Sequence, residues 1–63
     1  MIYETVRVTE IYKNKQKAFN IRLGNEWELP LTQNETIDYF NNGGYRLIAI
    51  NPLNELFFTK QYD

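Results

Sequence analysis

The side chains able to do chemistry here are carboxylates, lysines, arginines, tyrosines and threonines, because the 63-residue chain has no His, no Cys and no Ser. Without imidazole, thiol or serine hydroxyl, the usual nucleophile and base constellations cannot be assembled from one chain. Two carboxylate pairs remain. Glu35 and Asp38, three apart, would share one side of a helix, the spacing of an acid and base pair or of a divalent-metal site. Both acids also suit the positive N-terminal end of a helix dipole, and Glu35 has a second task in a cap. Glu26 and Glu28 flank Trp27 on the opposite strand face, where a solvated surface accounts for them. The expectation is a protein that is not an enzyme, with no catalytic group, no cofactor and no metal ligand.

Phosphate chemistry has one candidate. Lys13, Lys15 and Lys17, with Arg22, Tyr3 and Tyr12 near them, have the mixture of cations and stacking rings found in single-strand nucleic-acid binders. Three lysines in a hairpin loop also serve solubility and guard a sheet edge. A net charge of −1 and a pI near 5.3 give no global pull toward nucleic acid or an anionic membrane. Gly43-Gly44 is no phosphate cradle, because it follows a helix and a cradle precedes one.

The elements that must position these residues are legible in part. Thr32 followed by Glu35 is a capping box, and Ile37 and Phe40 share one helical face. Gly43 or Gly44 then supplies the stop, and with Gly44 in the left-handed conformation Tyr45 folds back onto Phe40. A helix of about ten residues is marginal alone in water, so it must lie against a sheet. Ile2 to Tyr12 predicts a long first strand, with Val6 and Val8 on one face and Thr5, Arg7 and Thr9 on the other. The second strand alternates Phe19, Ile21 and Leu23 against Ala18, Asn20 and Arg22. Pairing Val8 with Ile21 and Val6 with Leu23 puts the apolar sets on one face, brings Ile2 opposite Trp27, and places Glu10 opposite Phe19, a misfit that implies irregularity near the loop. Gly24-Asn25 marks either a bulge in one long strand or a turn between two short ones.

Tyr45 to Ile50 and Glu55 to Tyr62 read as a last hairpin around Asn51-Pro52-Leu53-Asn54, which is strong turn chemistry. The expected fold is α+β, a single domain over residues 1–63 with an antiparallel sheet of four or five strands and one short helix, in the order β-β-α-β-β. So small a chain buries only about 60% of its unfolded surface and has no disulfide to help, so aromatics, 16% of residues, must supply the core. No stretch approaches the ~20 apolar residues of a membrane span, which predicts a soluble, cytoplasmic protein.

The segment Asp38 to Ile50 resembles the core of a widespread family of small bacterial and phage domains of unknown function, in which a short helix and loop lead into Gly-Trp-Glu-Leu-hydrophobic and then a hairpin ending on a basic residue. Gly44-Tyr45-Arg46-Leu47-Ile48 follows that order, with Tyr for Trp and Arg for Glu, and Lys60 stands near the basic end. The resemblance implies the fold and carries no agreed activity.

The functional expectation comes from counting faces in the last hairpin. Leu47, Ala49, Leu56 and Phe58 fall on one face and Ile48, Ile50 and Phe57 on the other, and one helix covers only one of them. An uncovered apolar patch marks a protein interface, unless the first hairpin curls across it. The reading is a small protein-binding module, self-associated as a homodimer or bound to another protein through Ile48, Ile50 and Phe57. Eight asparagines and many Lys, Ile and Tyr suit an AT-rich bacterium or its phage, so an inhibitor of a host or defence protein is its concrete form. The alternative is a single-stranded nucleic-acid binder using Lys13, Lys15, Lys17 and Arg22.

Overall fold

In the structure, a computed structural model that describes residues 2–62, five strands and one helix follow the order β1 (Ile2–Tyr12), β2 (Lys15–Asn20), β3 (Glu26–Leu29), α1 (Gln33–Asn42), β4 (Arg46–Ile50) and β5 (Leu56–Tyr62). The strands form one antiparallel sheet, β3-β2-β1-β5-β4, and α1 lies on one of its faces. The class is α+β as expected, but the order is β-β-β-α-β-β. Gly24-Asn25 belongs to a turn: the Asn20 amide donates to the Asn25 carbonyl at 2.8 Å and the Gly24 amide to the Asn20 carbonyl at 2.8 Å. Gly24 sits at φ +81°, a conformation that glycine reaches without the clash a Cβ would bring. The side chain of Asn20 accepts from the Leu23 amide and closes the same turn.

The helix ends behave as their residues dictate. Glu35 N–H donates to Thr32 Oγ1 at 3.3 Å, and Thr32 N–H donates to Glu35 Oε1 at 3.0 Å. At the other end Gly44 takes φ +88°, its amide bonds the Asn41 carbonyl at 3.1 Å, and the Tyr45 amide reaches the Phe40 carbonyl at 2.9 Å. This is a Schellman stop, with Tyr45 packed edge-on against Phe40, ring centroids 5.3 Å apart. Thr36 and Phe40 are buried against the sheet, and Phe40 stacks on Phe58 at 4.7 Å. Thr32→Ala leaves the Glu35 amide without its acceptor and lowers stability by about 1 kcal/mol. A denaturation midpoint unchanged by that substitution would contradict the cap.

The first hairpin differs from its expected register by three residues. Val8 faces Ala18 and Val6 faces Asn20, not Ile21 and Leu23, and Ile2 faces Tyr62 of β5, not Trp27. An odd shift turns every β2 side chain to the other face. Gln16, Ala18 and Asn20 therefore point under the helix and are buried, while Phe19 lies on the outer face, and Ile21 and Leu23 stand in the turn, 48% and 68% exposed. The reason lies in β3. Ala18 is opposite Trp27 and Gln16 opposite Leu29, so the bulky residues of the covered face come from β3 and need a small neighbour on β2. Glu10 faces Gln16 instead of Phe19, and the ladder is irregular between Glu10 and Tyr12, beside the loop.

The last hairpin carries a second irregularity. Leu47 faces Phe58, then Ile48 is passed over, and Ala49 faces Phe57 while Ile50 faces Leu56. The extra residue moves Ala49 off the helix-side register and takes Ile50 out of register with Phe57, reversing both expected positions. Asn51 holds the turn through its side chain, accepting from the Leu53 and Glu55 amides at 3.0 and 2.8 Å and donating to Glu55 Oε1 at 2.7 Å.

Candidate functional site

The core of Val6, Val8, Ala18, Leu29, Phe40, Leu56 and Phe58 lies wholly between α1 and one face of the sheet. The first hairpin does not cross the other face, because β1 and β2 extend the sheet side by side with β5. The register places one row across all five strands of that open face: Glu26, Phe19, Arg7, Phe57 and Ala49. Ile48, the bulged residue, stands beside Ala49 and is 54% exposed. Phe19 and Phe57 are half-buried, and the Arg7 guanidinium lies over the Phe19 ring, 5.3 Å from its centroid. One neighbouring row is Thr5, Thr59 and Arg46, and the other is Glu28, Lys17, Thr9 and Glu55.

Charge on this face is unevenly met. Lys15 pairs with Glu28 at 3.0 Å and Lys17 with Glu26 at 3.6 Å, so the β2–β3 side neutralises itself. Glu55 accepts from Asn51 and Thr9, and these bonds hold its carboxyl below the usual carboxylate range. Arg7 and Arg46 form no ion pair among the described residues. The two sheet edges differ as well. The β3 edge has four residues and two glutamates, whereas the β4 edge is apolar apart from Arg46 and is interrupted only by the bulge at Ile48.

The residues expected to form the interface are placed as follows. Phe57 lies in the central row and Ile48 flanks it, while Ile50, 55% exposed, stands in register with Leu56 at the end of β4. The residues of the expected phosphate patch do not gather in one place. Lys13 lies in the exposed β1–β2 loop, Lys15 and Lys17 are ion-paired on β2, and Arg22 sits in the turn at the far end of β2. Arg7, Phe19, Arg46 and Ala49 are not among the residues the sequence singles out for an interface. Arg7 is legible as the outward residue between Thr5 and Thr9, whereas the alternation of Phe19 with Ile21 points Phe19 inward, and the register turns it out.

The helix side offers a cleft of about 280 Å³ lined by Trp27, Tyr39, Phe40, Gly43 and Tyr45. Lys60 already brings its ammonium over the Tyr45 ring at 5.6 Å and the Tyr62 ring at 5.2 Å. Behind Tyr45, the buried Glu4 carboxylate accepts from Tyr62 Oη at 2.7 Å and from Asn20 Nδ2. These two donors, Tyr62 first, hold the Glu4 carboxyl below its ordinary range, and the bond to Glu4 pushes the Tyr62 hydroxyl up to about 12. The cluster ties the end of β5 to β1. A wider hollow of about 450 Å³ beside the β1–β2 loop contains Lys15 and Glu28, which satisfy each other. Among the described residues no three His, Cys, Asp or Glu gather into a metal site, and no helix is long and apolar enough to cross a membrane.

The Glu4–Tyr62 bond has a readable pH signature. A carboxyl with a depressed folded pKa stabilises the fold above its unfolded value, about 4.3, and that contribution is lost as pH falls through the folded value. A phenol with a raised folded pKa contributes fully below about 10 and loses its contribution as pH rises toward 12. The bond's contribution is therefore flat between about pH 5 and 9. Tyr62→Phe should remove the loss specific to the 10-to-12 window, read from denaturation midpoints against pH. An alkaline limb identical to that of the wild type would contradict this.

Comparison with known proteins finds no match to the chain, whether by family model, curated protein or solved structure.

Proposed function

We propose that the chain is a small non-enzymatic protein-binding module that works through the open face of its sheet. The observation that carries the reading is the central row Phe19, Arg7, Phe57 and Ala49 with Ile48 beside it, left uncovered while the whole core sits on the other side. Aromatic rings and arginine at the middle of a flat surface, ringed by Thr and charged residues, are the composition of interface centres. A binder of this kind acts by occupying its partner, as an inhibitor encoded by a phage or mobile element would, and needs none of the groups the chain lacks. The nucleic-acid alternative draws less support, because Lys15 and Lys17 are already matched by Glu28 and Glu26 and the rest of that patch is dispersed.

Capture from lysate by the immobilised chain tests the reading when it is made face by face. A partner should be retained by the wild type and by Asp38→Lys on the exposed side of α1, and be reduced about ten-fold or more by Ile48→Glu, which puts a carboxylate into the apolar centre. Retention equal in Ile48→Glu, or no protein retained above a blank matrix, would count against it.

A further inference from the structure

We infer that the aromatic cleft at the C-terminal end of α1 is a binding site for a quaternary ammonium group. The site lies on the helix side of the sheet, apart from the open face, and is independent of the protein-binding reading. Its walls are Trp27 of β3, Tyr39, Phe40 and Gly43 at the helix end, and Tyr45 before β4, around about 280 Å³. The ring centroids of Trp27, Tyr39 and Tyr45 lie 6.4, 5.1 and 5.3 Å from that of Phe40, with planes at 51°, 87° and 81° to it. Rings set at such angles enclose space instead of stacking on one another. Phe40 is buried on Phe58 and serves the core, whereas Tyr39 is 49% exposed and stands outside the core cluster. Core packing therefore accounts for the floor of the cleft and not for all of its walls.

Three features set the sign of the guest's charge. Aromatic faces carry the negative part of the ring quadrupole and attract cations. The helix end presents the negative pole of its dipole, and the last turn of α1 has no basic residue to offset it. Behind Tyr45 lies the Glu4 carboxylate, whose charge, after burial, is the cause that pushes the Tyr45 hydroxyl up. An anionic ligand would be opposed by all three. Lys60, a cation already drawn to this region, lies between the Tyr45 and Tyr62 rings and beside Gly44, outside the residues that wall the cleft. The kind of cation follows from what the walls lack. Among the described residues no carboxylate lines the cleft, so a metal ion would find no set of oxygen ligands. The carbonyls of Tyr39, Phe40 and Asn41 already accept from the Gly43, Gly44 and Tyr45 amides, so the N–H groups of a primary ammonium or a guanidinium would give up water without gaining partners. A quaternary ammonium has no donor to satisfy and needs only ring faces.

The test is a titration of the full nitrogen-15-labelled chain with choline chloride, with the uncharged isostere in which carbon replaces the ammonium nitrogen, with a capped trimethyl-lysine peptide, and with sodium chloride. The proposal expects saturable shifts of the Trp27 indole and of the Tyr39, Gly43 and Tyr45 amides with choline at millimolar concentrations, and affinity about five-fold weaker or more for the isostere. Tyr39→Leu keeps an apolar wall without a ring face and should weaken choline about three-fold or more, while Tyr39→Phe should bind as the wild type does. Lys60→Gln removes a like charge beside the site and should tighten choline but not the isostere. Tighter binding of choline assigns the group to a free solute and tighter binding of the peptide to a methylated side chain, and either supports the site. It is overturned by no saturable shift with choline or the peptide, by equal binding of the isostere, by sodium chloride producing the same shifts, by Tyr39→Leu binding as the wild type does, or by Lys60→Gln weakening choline. The comparison of choline with its isostere uses the unaltered chain, so it stands even where a variant fails to fold. Failure of the titration with face-dependent lysate capture intact rejects the ammonium site alone.

Discussion

Phe58→Ala should lower stability by about 3–5 kcal/mol, the range for removing a buried phenyl ring from a core that cannot fully collapse. Phe58 is fully buried, stacks on Phe40, and stands opposite Val6 on one side and Leu47 on the other. It is the point at which the helix, the central strand and the β4–β5 hairpin meet. A domain of 63 residues is worth about 3–9 kcal/mol in all, so the substitution takes from about a third of it to the whole. Urea denaturation followed by far-ultraviolet circular dichroism reads the loss. A variant that keeps its midpoint within the equivalent of about 1 kcal/mol would show that the helix does not pack where Phe40 meets Phe58.

Ala18→Leu should cost about 1–3 kcal/mol by overpacking, while Ile21→Ser should change stability by less than about 0.5 kcal/mol. The pair is informative because hydrophobicity alone predicts the reverse. Ala18 is fully buried between Val8 and Trp27, with no room for an isobutyl group, whereas the Ile21 side chain stands at the turn with about half its surface in water. If Ile21→Ser proves the more damaging change, β2 is flipped and the outer row described above does not exist.

The helix was legible because its signals are local. Thr32, Glu35, Gly44 and Tyr45 each make a bond to a neighbour within five residues, so their types alone decide the geometry. The strands and their neighbours were legible from β-branched and aromatic runs, and the turn at Asn51 from its own side chain. What was not legible is non-local. The register of β2 depends on Trp27 and Leu29, residues that reach it only after the chain has turned at Gly24. Clean alternation of Phe19, Ile21 and Leu23 gave the wrong face because Ile21 and Leu23 are not in the strand at all. The bulge at Ile48 has no sequence mark, and it alone separates Ile50 from the face that carries Phe57. The open face was thus foreseen as a consequence of having one helix, while Arg7 and Phe19 at its centre required the register.

The most direct test of the central claim is solvent paramagnetic relaxation of side-chain methyls in the isolated chain, using a soluble gadolinium chelate at micromolar protein. One face of the sheet carries the core and the other is bare. The Ile48, Ala49, Thr5 and Thr59 methyls should therefore relax strongly, and the Val6, Val8, Ala18 and Leu56 methyls should be shielded. Shielding of Ile48, Ala49 and Thr59 to the same degree as Val6 and Val8 would mean that the face is already covered by the chain or by its own copy, and would contradict an open docking surface.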